Sequence, residues 1–462
     1  MNEHNPHPVA AVVLAAGAGK RFKSDLPKVL HPAAGRPLVQ HVVSAVAGLN
    51  DLAKLLVVVG HGAERVVEEV SGLWPQAEFV EQTELLGTGD AVRRCRRHLS
   101  GFSGMVMVLA GDAPLITTTT LQALAERHRQ SGEAVTLLTA EVDDPAGYGR
   151  VTRDEQGRCT GIVEHADATE QQRRIREVSS GIWCFEPGAL LEALERMDNH
   201  NSQGEYYLPQ AARLMVGSGR LATEAADPTE IQGVNDRLQL AAAARVLWDR
   251  KLRRLAAEGV TIEDFSNTYV DVGVEVGPQS VLGPMTMLQG DTRVGSGCSI
   301  GPSALLADSV VGDGAQILFC VARRVHIGSG VAVGPFTSLR PGTRLEAGSK
   351  AGSFVEIKGS TVGEGSKVPH LSYVGDAEIG RGVNLGAGTI TANYDTESKV
   401  KSKTVVSDGA FTGSDTTLVA PVTVGKNAGT GAGSVVTKDV EEGQIVAGVP
   451  AKPFRKRNLE ND

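Results

Sequence analysis

From Val276 to Val436 the chain places an aliphatic residue at almost every sixth position. A period of six fits neither the 3.6-residue turn of an α-helix nor the two-residue alternation of a flat strand. It suits a coil of short flat faces, each with one inward side chain, in which strand stacks on strand. Gly and small residues recur between the aliphatic positions and are expected at the tight corners. The repeat predicts a parallel β-helix. Its positions are Val276, Leu282, Leu288, Val294, Ile300, Leu306, Ile327, Val333, Leu339, Leu345, Ala351 (a weak position), Ile357, Ile379, Leu385, Val406, Thr412, Leu418, Val424, Thr430 and Val436.

The first half of the chain is built differently. Apolar runs of strand length at 9–15, 55–60, 105–111 and 134–142 alternate with segments of helical periodicity. This alternation predicts an α/β domain with a mostly parallel sheet, which binds its ligands at the carboxyl ends of the strands.

An Ala-, Leu- and Arg-rich segment joins the two halves. It predicts one linker helix, about 35 Å long at 1.5 Å per residue. We therefore expect a first domain over 1–236, a helix over 237–260 and a β-helix over 261–462.

Composition narrows the functional classes. The net charge of −8 provides no basic surface for nucleic acid. The five cysteines include no C-x-x-C pair, so neither a disulfide framework nor a zinc site is expected. Without an 18-residue apolar run or a cleavable leader, we expect a cytoplasmic protein that does not span a membrane.

A glycine-rich turn follows the first predicted strand, in "LAAGAGKRFKSDLPKVL". Such a turn brings main-chain N–H groups close to a ligand, and phosphate is the usual one. It matches neither the dinucleotide fingerprint nor the Walker pattern. Lys28 and Arg21 are suited to neutralising a triphosphate, although a plain turn with solvated basic residues is equally compatible with the glycines alone.

"LAGDAPL" ends a second buried strand with Asp112, which suits a divalent cation. A helix cap or turn is the alternative for an isolated Asp. The nearby cluster Arg93, Arg94, Arg96 and Arg97 is predicted to be the solvated face of a helix.

These motifs, with "ELLGTGDA", "DDPAGYGRV", "GIVEH", "NSQGEYYL" and "GVNDRLQL", resemble the sugar-1-phosphate nucleotidyltransferases. The resemblance is close to the uridyltransferase half of the bifunctional family that makes UDP-N-acetylglucosamine in bacteria. It implies a Rossmann-like nucleotidyltransferase domain with UTP as substrate and Mg²⁺ as cofactor. It also implies that Leu14, Ala15, Ala16, Gly17 and Lys28 bind the nucleotide, that Gln82, Gly87 and Thr88 bind uracil, that Gly149, Glu164 and Ser179 contact the sugar, and that Asp112 and Asn235 hold the metal. Ser179 departs from the family, which usually has Asn there, so the preference for the sugar is open.

The six-residue repeat is interrupted by a polar stretch at 392–404, and long insertions in a regular coil carry binding residues more often than its body does. Near it, "KVPHLSY" contains His370. An unperturbed His has a pKa of about 6.5, which suits the deprotonation of an amine that attacks a thioester. Alone, His370 is more often a structural or solvated histidine.

The second half resembles the acetyltransferase half of the same family and the left-handed parallel β-helix, whose acyltransferase members are usually trimers. The resemblance implies that His370 is the general base, with acetyl-CoA and glucosamine-1-phosphate as substrates. It implies that the substrate-binding residues are Arg340, Lys358, Tyr373, Asn384, Ala387, Asn393, Tyr394, Lys399, Ser414 and Ala432. Arg and Lys in this set suit a sugar phosphate.

Together the two halves imply an enzyme that acetylates glucosamine-1-phosphate and then transfers UMP from UTP to the product. One alternative is a single-activity sugar-1-phosphate nucleotidyltransferase whose β-helix is regulatory or trimerising. Another is a noncatalytic assembly module.

Overall fold

The computed structural model describes residues 7–201, 204–216 and 221–457. The chain divides into two compact units, Met1–Leu247 and Trp248–Asp462.

Within the described residues, the first unit contains a nine-stranded mixed sheet. Most neighbouring strands pair in parallel, as predicted, but Glu177–Phe185 runs antiparallel to both of its main-path neighbours. The main path runs in the order Ala222–Ala225, Val135–Glu141, Glu177–Phe185, Met105–Ala110, Val9–Leu14, Leu52–Val59 and Glu78–Glu81, with Arg150–Arg153 and Cys159–Val163 as an attached hairpin. A small separate pair is formed by Pro32–Ala33 and Arg36–Pro37.

Helices cover the sheet because burying their apolar faces against strands such as Val9–Leu14, whose first five residues are buried, removes apolar surface from water. The predicted helical segments are found at Leu38–Ala47 and Thr118–Ser131. The remaining helices of the described part are Ala63–Ser71, Thr88–Arg94, Arg96–Leu99, Glu170–Arg173, Pro187–Arg196, Leu208–Val216 and Arg237–Ala257, with 3₁₀ turns at Lys20–Phe22 and Lys28–Leu30.

Two of the predicted ligand loops leave the sheet side by side. Leu14 pairs with Ala110 at the carboxyl ends of parallel neighbouring strands, and Gly111 N donates to Leu14 O at 2.8 Å. The prediction that both loops open at the same edge is confirmed.

The second unit is a left-handed parallel β-helix. The aliphatic residues of the six-residue repeat all point inward and are at most 8% exposed, so the predicted interior is confirmed. Between them, small residues such as Ser280, Thr286 and Cys298 are also buried.

The described strands of the β-helix form three long parallel sheets and one terminal sheet. The first sheet comprises Thr261–Ile262, Val281–Leu282, Ser299–Ile300, Gln316–Ile317, Ala332–Val333, Lys350–Ser353 and Lys367–His370. The second comprises Tyr269–Val270, Met287–Gln289, Leu305–Ala307, Cys320–Arg323, Thr337–Leu339, Glu356–Lys358, Tyr373–Gly375, Ile390–Ala392, Thr417–Val419 and Val435–Val436. The third comprises Glu275–Val276, Arg293–Val294, Val310–Val311, His326–Ile327, Arg344–Leu345, Thr361–Val362, Ala377–Ile379, Thr404–Val406 and Val422–Val424. The terminal sheet comprises Gly429–Thr430, Gln444–Gly448 and Ala451–Lys456.

One row of corners differs from the prediction that Gly and small residues occupy the tight turns. Phe319, Phe336, Phe354 and Leu371 adopt left-handed backbone conformations there, with φ between 43° and 59°. Their side chains are exposed, so the corner itself has room for them. These corners require a left-handed backbone conformation. Gly adopts it at the least cost, but other residues can adopt it as well.

All five cysteines are buried and free, as expected for a chain without a disulfide framework. Burial raises the pKa of the Cys95 and Cys320 thiols to about 12. In the described part of the chain, no helix is long and apolar enough to cross a membrane.

Candidate active sites

Three predicted site residues meet at the carboxyl edge of the first unit's sheet. The Lys28 ammonium forms an ion pair with the Asp112 carboxylate and donates to Asn235 Oδ1 at 3.2 Å. The side chains of Lys28 and Asp112 are each 16% exposed, so water screens the pair only in part. Two side-chain oxygens thus contact the same ammonium group.

The backbone holds these residues in place. Asp112 O accepts from Val234 N at 2.8 Å, and Asn235 N donates to Gln239 Oε1 at 2.7 Å. Gly111 is needed next to Asp112 because a Cβ there would lie 2.9 Å from Leu14 O. The Asp112–Val234 hydrogen bond joins two segments that are far apart in sequence.

The donor set fits a divalent metal. Asp112 offers a carboxylate oxygen and Asn235 an amide oxygen, and both already face the positive charge of Lys28. Among the described residues, no group of three or more His, Cys, Asp or Glu side chains is arranged to hold a metal. Mg²⁺ bound together with a nucleotide needs only one or two protein carboxylates, because substrate phosphates and water complete its octahedron.

The glycine-rich loop lies beside this point. Gly19 has φ +61°, and a Cβ on it would lie 2.5 Å from Lys28 Cβ. By contrast, a Cβ on Gly17 would meet no atom within 4 Å, so the loop has open space there. Ala15 and Ala16 are buried and bonded through their backbones to Val58 O and His61 N, which anchors the start of the loop.

The predicted uracil-binding residues lie together at the start of the helix Thr88–Arg94. Gln82 Nε2 donates to Gly87 O at 3.1 Å. Thr88 Oγ1 accepts from Leu208 N at 3.1 Å. From a separate loop, Tyr206 N donates to Leu86 O at 2.7 Å, so the "EYYL" motif holds the Gly-Thr turn.

Asp90 is a residue of this region that the sequence analysis missed. It is fully buried and accepts from Gln82 Nε2 at 3.0 Å and from Arg93 Nη2 at 2.7 Å. Arg94 Nε lies 3.4 Å from Asp90 Oδ2, the oxygen that also accepts from Gln82. The signal was available, since Asp90 is part of the "ELLGTGDA" motif in the first turn of a helix.

The basic cluster is for the most part solvated, as predicted, since Arg94, Arg96 and Arg97 are exposed. In addition, Arg93 and Arg94 neutralise the buried Asp90 carboxylate. Arg93 also lies over the ring of Tyr206, 4.4 Å from its centroid. An unpaired buried charge is costly, which explains why two arginines accompany Asp90.

Residues predicted to contact the sugar also come together. Ser179 N donates to Gly149 O at 2.9 Å, and a Cβ on Gly149 would lie 2.8 Å from Ile162 Cγ2 and 3.5 Å from Glu164 Oε1. Surrounding protein atoms and the Asp167 carboxylate raise the pKa of Glu164, whose side chain is nevertheless exposed. Ser179 Oγ accepts from Gly181 N at 3.3 Å.

In the second unit, Arg340, Lys358 and Tyr373 belong to one face of the β-helix. Arg340 N donates to Ile357 O at 2.8 Å, next to Lys358, and Tyr373 pairs with Glu356 in the following coil. The Tyr373 ring lies so close to Gly375 that a Cβ there would collide with the hydroxyl. The geometry thus aligns two cations and a phenol along the coil.

Two carboxylates on this face were not identified from sequence. Arg340 Nη1 donates to Glu356 Oε1 at 2.9 Å, and Lys358 Nζ lies 3.6 Å from Asp376 Oδ2. Asn393 Nδ2 donates to the same Asp376 oxygen. Asp376 therefore links Lys358 to the start of the polar insertion.

His370 ends the strand Lys367–His370, one corner before Tyr373. Its side chain is exposed. Ser372 Oγ donates to His370 O at 2.7 Å, and Gly388 N donates to it at 3.3 Å. These two hydrogen bonds fix the backbone of His370, and its exposed imidazole is accessible to a ligand.

Ala387, Ser414 and Ala432 form a column at one corner of successive coils. Ala387 O accepts from Asp415 N at 2.7 Å, and Ser414 O accepts from Gly433 N at 2.8 Å. A Cβ on the neighbouring Gly413 would lie 2.5 Å from Ala432 N, so these coils stack closely.

The three remaining predicted residues are Asn384, Tyr394 and Lys399. Asn384 belongs to another face, where it bridges Lys367 and Phe411 through its backbone. The polar insertion leaves the coil after Ile390–Ala392 and returns at Thr404–Val406. Within it, Tyr394 pairs with Lys401, and both Tyr394 and Lys399 are exposed.

Known proteins match the sequence of this chain across both units. The model of the MobA-like NTP transferase domain family matches residues 11–205. The chain is 48% identical over 441 residues to the bifunctional protein GlmU of Heliobacterium modesticaldum, covering 95% of each chain. It is 49% identical over 454 residues to that of Thermobifida fusca, covering 97% of this chain and 93% of the relative. Since this similarity spans nearly the entire length of both proteins, the chain belongs to the GlmU family of bifunctional transferases.

Proposed function

We propose that the first unit transfers UMP from UTP to N-acetylglucosamine-1-phosphate and that the second acetylates glucosamine-1-phosphate with acetyl-CoA. The observation that carries the first assignment is the convergence of Lys28, Asp112 and Asn235 at the sheet edge. Membership of a bifunctional transferase family and the nucleotidyltransferase domain support both activities.

In the uridylyl step, an oxygen of the sugar 1-phosphate attacks the α-phosphorus of UTP. The bond from that phosphorus to the bridging oxygen of the β-phosphate breaks, and pyrophosphate leaves. Lys28 and main-chain N–H groups of the glycine-rich loop stabilise the negative charge of the phosphates. Gln82, Gly87 and Thr88 hold the base, while Gly149, Glu164 and Ser179 hold the sugar.

Mg²⁺ is the proposed cofactor, with Asp112 and Asn235 as its protein ligands. When bound there, it neutralises charge on the reacting phosphates. The two side-chain oxygens are hard donors of the type that Mg²⁺ prefers.

In the acetyl step, the 2-amino group of glucosamine-1-phosphate attacks the thioester carbonyl of acetyl-CoA. His370 takes the proton from the nitrogen and returns it to the departing sulfur, so that CoA leaves as a thiol. Arg340 and Lys358 bind the sugar phosphate, with Tyr373, Asn384, Asn393, Tyr394 and Lys399 as further contacts. The column Ala387, Ser414 and Ala432 forms the path for acetyl-CoA.

A homotrimer is proposed for the assembly. The support is an apolar ladder along one row of corners, defined as Phe319, Phe336, Phe354 and Leu371, whose residues are 37–64% exposed. Successive phenylalanine rings stand 5.2 Å apart between centroids. Contiguous exposed apolar surface marks an interaction site, and Leu371 directly follows His370.

The assembly is tested by light scattering on size-exclusion fractions. Phe336→Asn together with Phe354→Asn keeps residues that tolerate a left-handed backbone but removes the apolar rings. We expect this variant to dissociate, whereas Leu238→Gln, which changes an 84% exposed leucine of the other unit, stays trimeric. A monomeric unaltered chain contradicts the proposal.

UTP and acetyl-CoA are both cytoplasmic metabolites, which supports a cytoplasmic location. No nucleic-acid partner is proposed, since the chain is acidic overall.

The two activities are tested in one assay. The chain receives glucosamine-1-phosphate, acetyl-CoA, UTP and Mg²⁺, and free CoA and pyrophosphate are followed separately. Asp112→Ala is expected to abolish pyrophosphate release and spare CoA release. His370→Ala is expected to abolish CoA release, with pyrophosphate release retained when N-acetylglucosamine-1-phosphate is supplied. If the unaltered chain never releases CoA, a single-activity nucleotidyltransferase replaces this proposal.

A further inference from the structure

The Gln82 side chain has its amide orientation dictated by its neighbours. Nε2 donates to Gly87 O at 3.1 Å and to Asp90 Oδ2 at 3.0 Å, and both partners are acceptors only. An amide turned the other way would direct Oε1 at two oxygens and lose both hydrogen bonds. The oxygen Oε1 is therefore the Gln82 side-chain atom left to bind a ligand.

Asp90 is held as a carboxylate. Burial alone would raise the pKa of Asp90, but hydrogen bonds from Gln82 and Arg93 and the charge of Arg94 outweigh burial and lower it. A carboxylate accepts on both oxygens and donates on neither. Asp90 Oδ1 accepts from Arg93, and Asp90 Oδ2 accepts from Gln82.

We infer that Asp90 is a positioning residue for base selection: it locks the Gln82 amide so that the enzyme offers a hydrogen-bond acceptor to the base. This inference rests on the proposed function, in which Gln82 binds the nucleobase. Asp90 is fully buried, so its effect on the base passes through its contact with Gln82.

The consequence is a preference for one pyrimidine. Uracil carries a donor at N3–H, whereas N3 of cytosine is an acceptor and would face the Oε1 acceptor without a hydrogen bond. A site built around a hydrogen bond rejects the analogue that lacks it, because its polar group is left unpaired. The locked acceptor thus selects UTP over CTP.

Asp90→Asn tests the lock with little change in shape. An asparagine has one acceptor oxygen, and Arg93 competes for it at 2.7 Å in the native geometry. Its amide nitrogen then faces Gln82 and favours the reversed amide, which offers a donor outward. Uracil retains carbonyl acceptors for that donor, so the preference is reduced rather than inverted.

The experiment measures kcat and KM of pyrophosphate release with UTP, CTP and 4-thio-UTP, with N-acetylglucosamine-1-phosphate as acceptor. For the unaltered protein we expect kcat/KM to be much lower with CTP and nearly retained with 4-thio-UTP, which keeps N3–H. In Asp90→Asn and Asp90→Ala we expect the ratio of UTP to CTP to fall about tenfold. The change should lie mainly in KM, because the base lies away from the reacting phosphates.

Arg94→Gln is the matched control from the same helix. It removes the 3.4 Å contact to Asp90 but leaves the Asp90–Gln82 hydrogen bond, so the ratio of UTP to CTP should not change. A fall in that control equal to the fall in Asp90→Asn would assign the effect to general disorder of the helix and overturn the inference.

The unaltered protein keeps the inference testable if both Asp90 variants fail to fold. Equal use of CTP and UTP by the unaltered protein overturns it directly. If pyrophosphate is released from UTP but the Asp90 variants retain the full ratio, only this inference fails. If no nucleotide yields pyrophosphate, the proposed uridylyl transfer itself fails and the inference fails with it.

Discussion

Lys28 forms an ion pair with Asp112, and the same ammonium lies 3.2 Å from Asn235 Oδ1. The proposed metal ligands thus already share a positive charge that belongs to the chain. A metal ion that takes these oxygens must compete with the ammonium, whose natural alternative partner is a nucleotide phosphate.

Replacing Lys28 is therefore expected to affect metal and nucleotide in opposite directions. In Lys28→Met, the protein without nucleotide should bind Mn²⁺, a paramagnetic substitute for Mg²⁺, several-fold more tightly. Its turnover of UTP should fall by a factor of about 10² or more, since a preorganised charge on the phosphates is lost. Electron paramagnetic resonance of free Mn²⁺ measures the first effect, and Asp112→Asn is the control that should weaken binding. Unchanged Mn²⁺ affinity in Lys28→Met contradicts the competition.

Two glycines of the same loop should respond differently to alanine. Gly19→Ala forces a left-handed Ala and places its Cβ against Lys28, which should lower the stability of the first unit by about 1–2 kcal/mol. Gly17→Ala meets no protein atom and should leave the melting temperature unchanged, but its methyl group projects into the open space where the nucleotide is proposed to bind.

Calorimetry and UTP kinetics separate the two variants. We expect Gly19→Ala to lower the melting temperature by about 2–6 °C. Gly17→Ala is expected to raise only KM for UTP. If both variants melt like the unaltered chain, the close approach of Gly19 to Lys28 is not a constraint.

The interior of the β-helix could be predicted from sequence because one inward side chain per face creates a period that nothing else explains. Leu282, Leu288 and Ile300 are accordingly all fully buried. The corners at Phe319 and Phe336 could not be predicted, because an exposed left-handed corner restricts the backbone and leaves the side chain free.

The first site was predictable for a similar reason. Parallel strands end at the same edge of a sheet, so Lys28 and Asp112 were expected near each other before the fold was known. Asp90 could have been identified, because its partners Gln82, Arg93 and Arg94 are close in sequence. The role of Asp376 could not be predicted, because its partners Lys358 and Asn393 lie in other coils. Local periodicity carries no information about such contacts.

Asp376 should matter for the acetyl acceptor only. It joins Lys358 and Asn393, and its own φ of 48° is a conformation that Asn tolerates. Asp376→Asn removes the charge that holds Lys358 and should raise KM for glucosamine-1-phosphate about threefold to tenfold, measured by CoA release. Pyrophosphate release from UTP and N-acetylglucosamine-1-phosphate in the same preparation should not change. A parallel loss of both activities would point to misfolding instead.

The first unit should lose stability in mild acid through buried histidines. His41 is 8% exposed, and Nε2 lies 2.9 Å from Ala33 O. Burial lowers the pKa of His41, and nearby Arg36 lowers it further, against the opposing effect of the hydrogen bond to Ala33. The neutral form is therefore the native one.

The sign of the pH effect follows from proton linkage. Below the ordinary histidine pKa of about 6.5, the unfolded chain takes up a proton at His41 while the folded chain does not, so the free energy of unfolding falls as the pH falls. Each unit of difference between the folded and unfolded pKa values contributes about 1.4 kcal/mol. His41→Gln keeps a donor for Ala33 O but cannot titrate, so its melting temperature should fall less than that of the unaltered chain between about pH 7.5 and pH 5.5. His200→Gln changes a histidine whose side chain is 90% exposed, and this control should follow the unaltered chain. If His41→Gln is as acid-sensitive as the unaltered chain, other groups such as His31 and His128, whose pKa values burial also lowers, account for the loss.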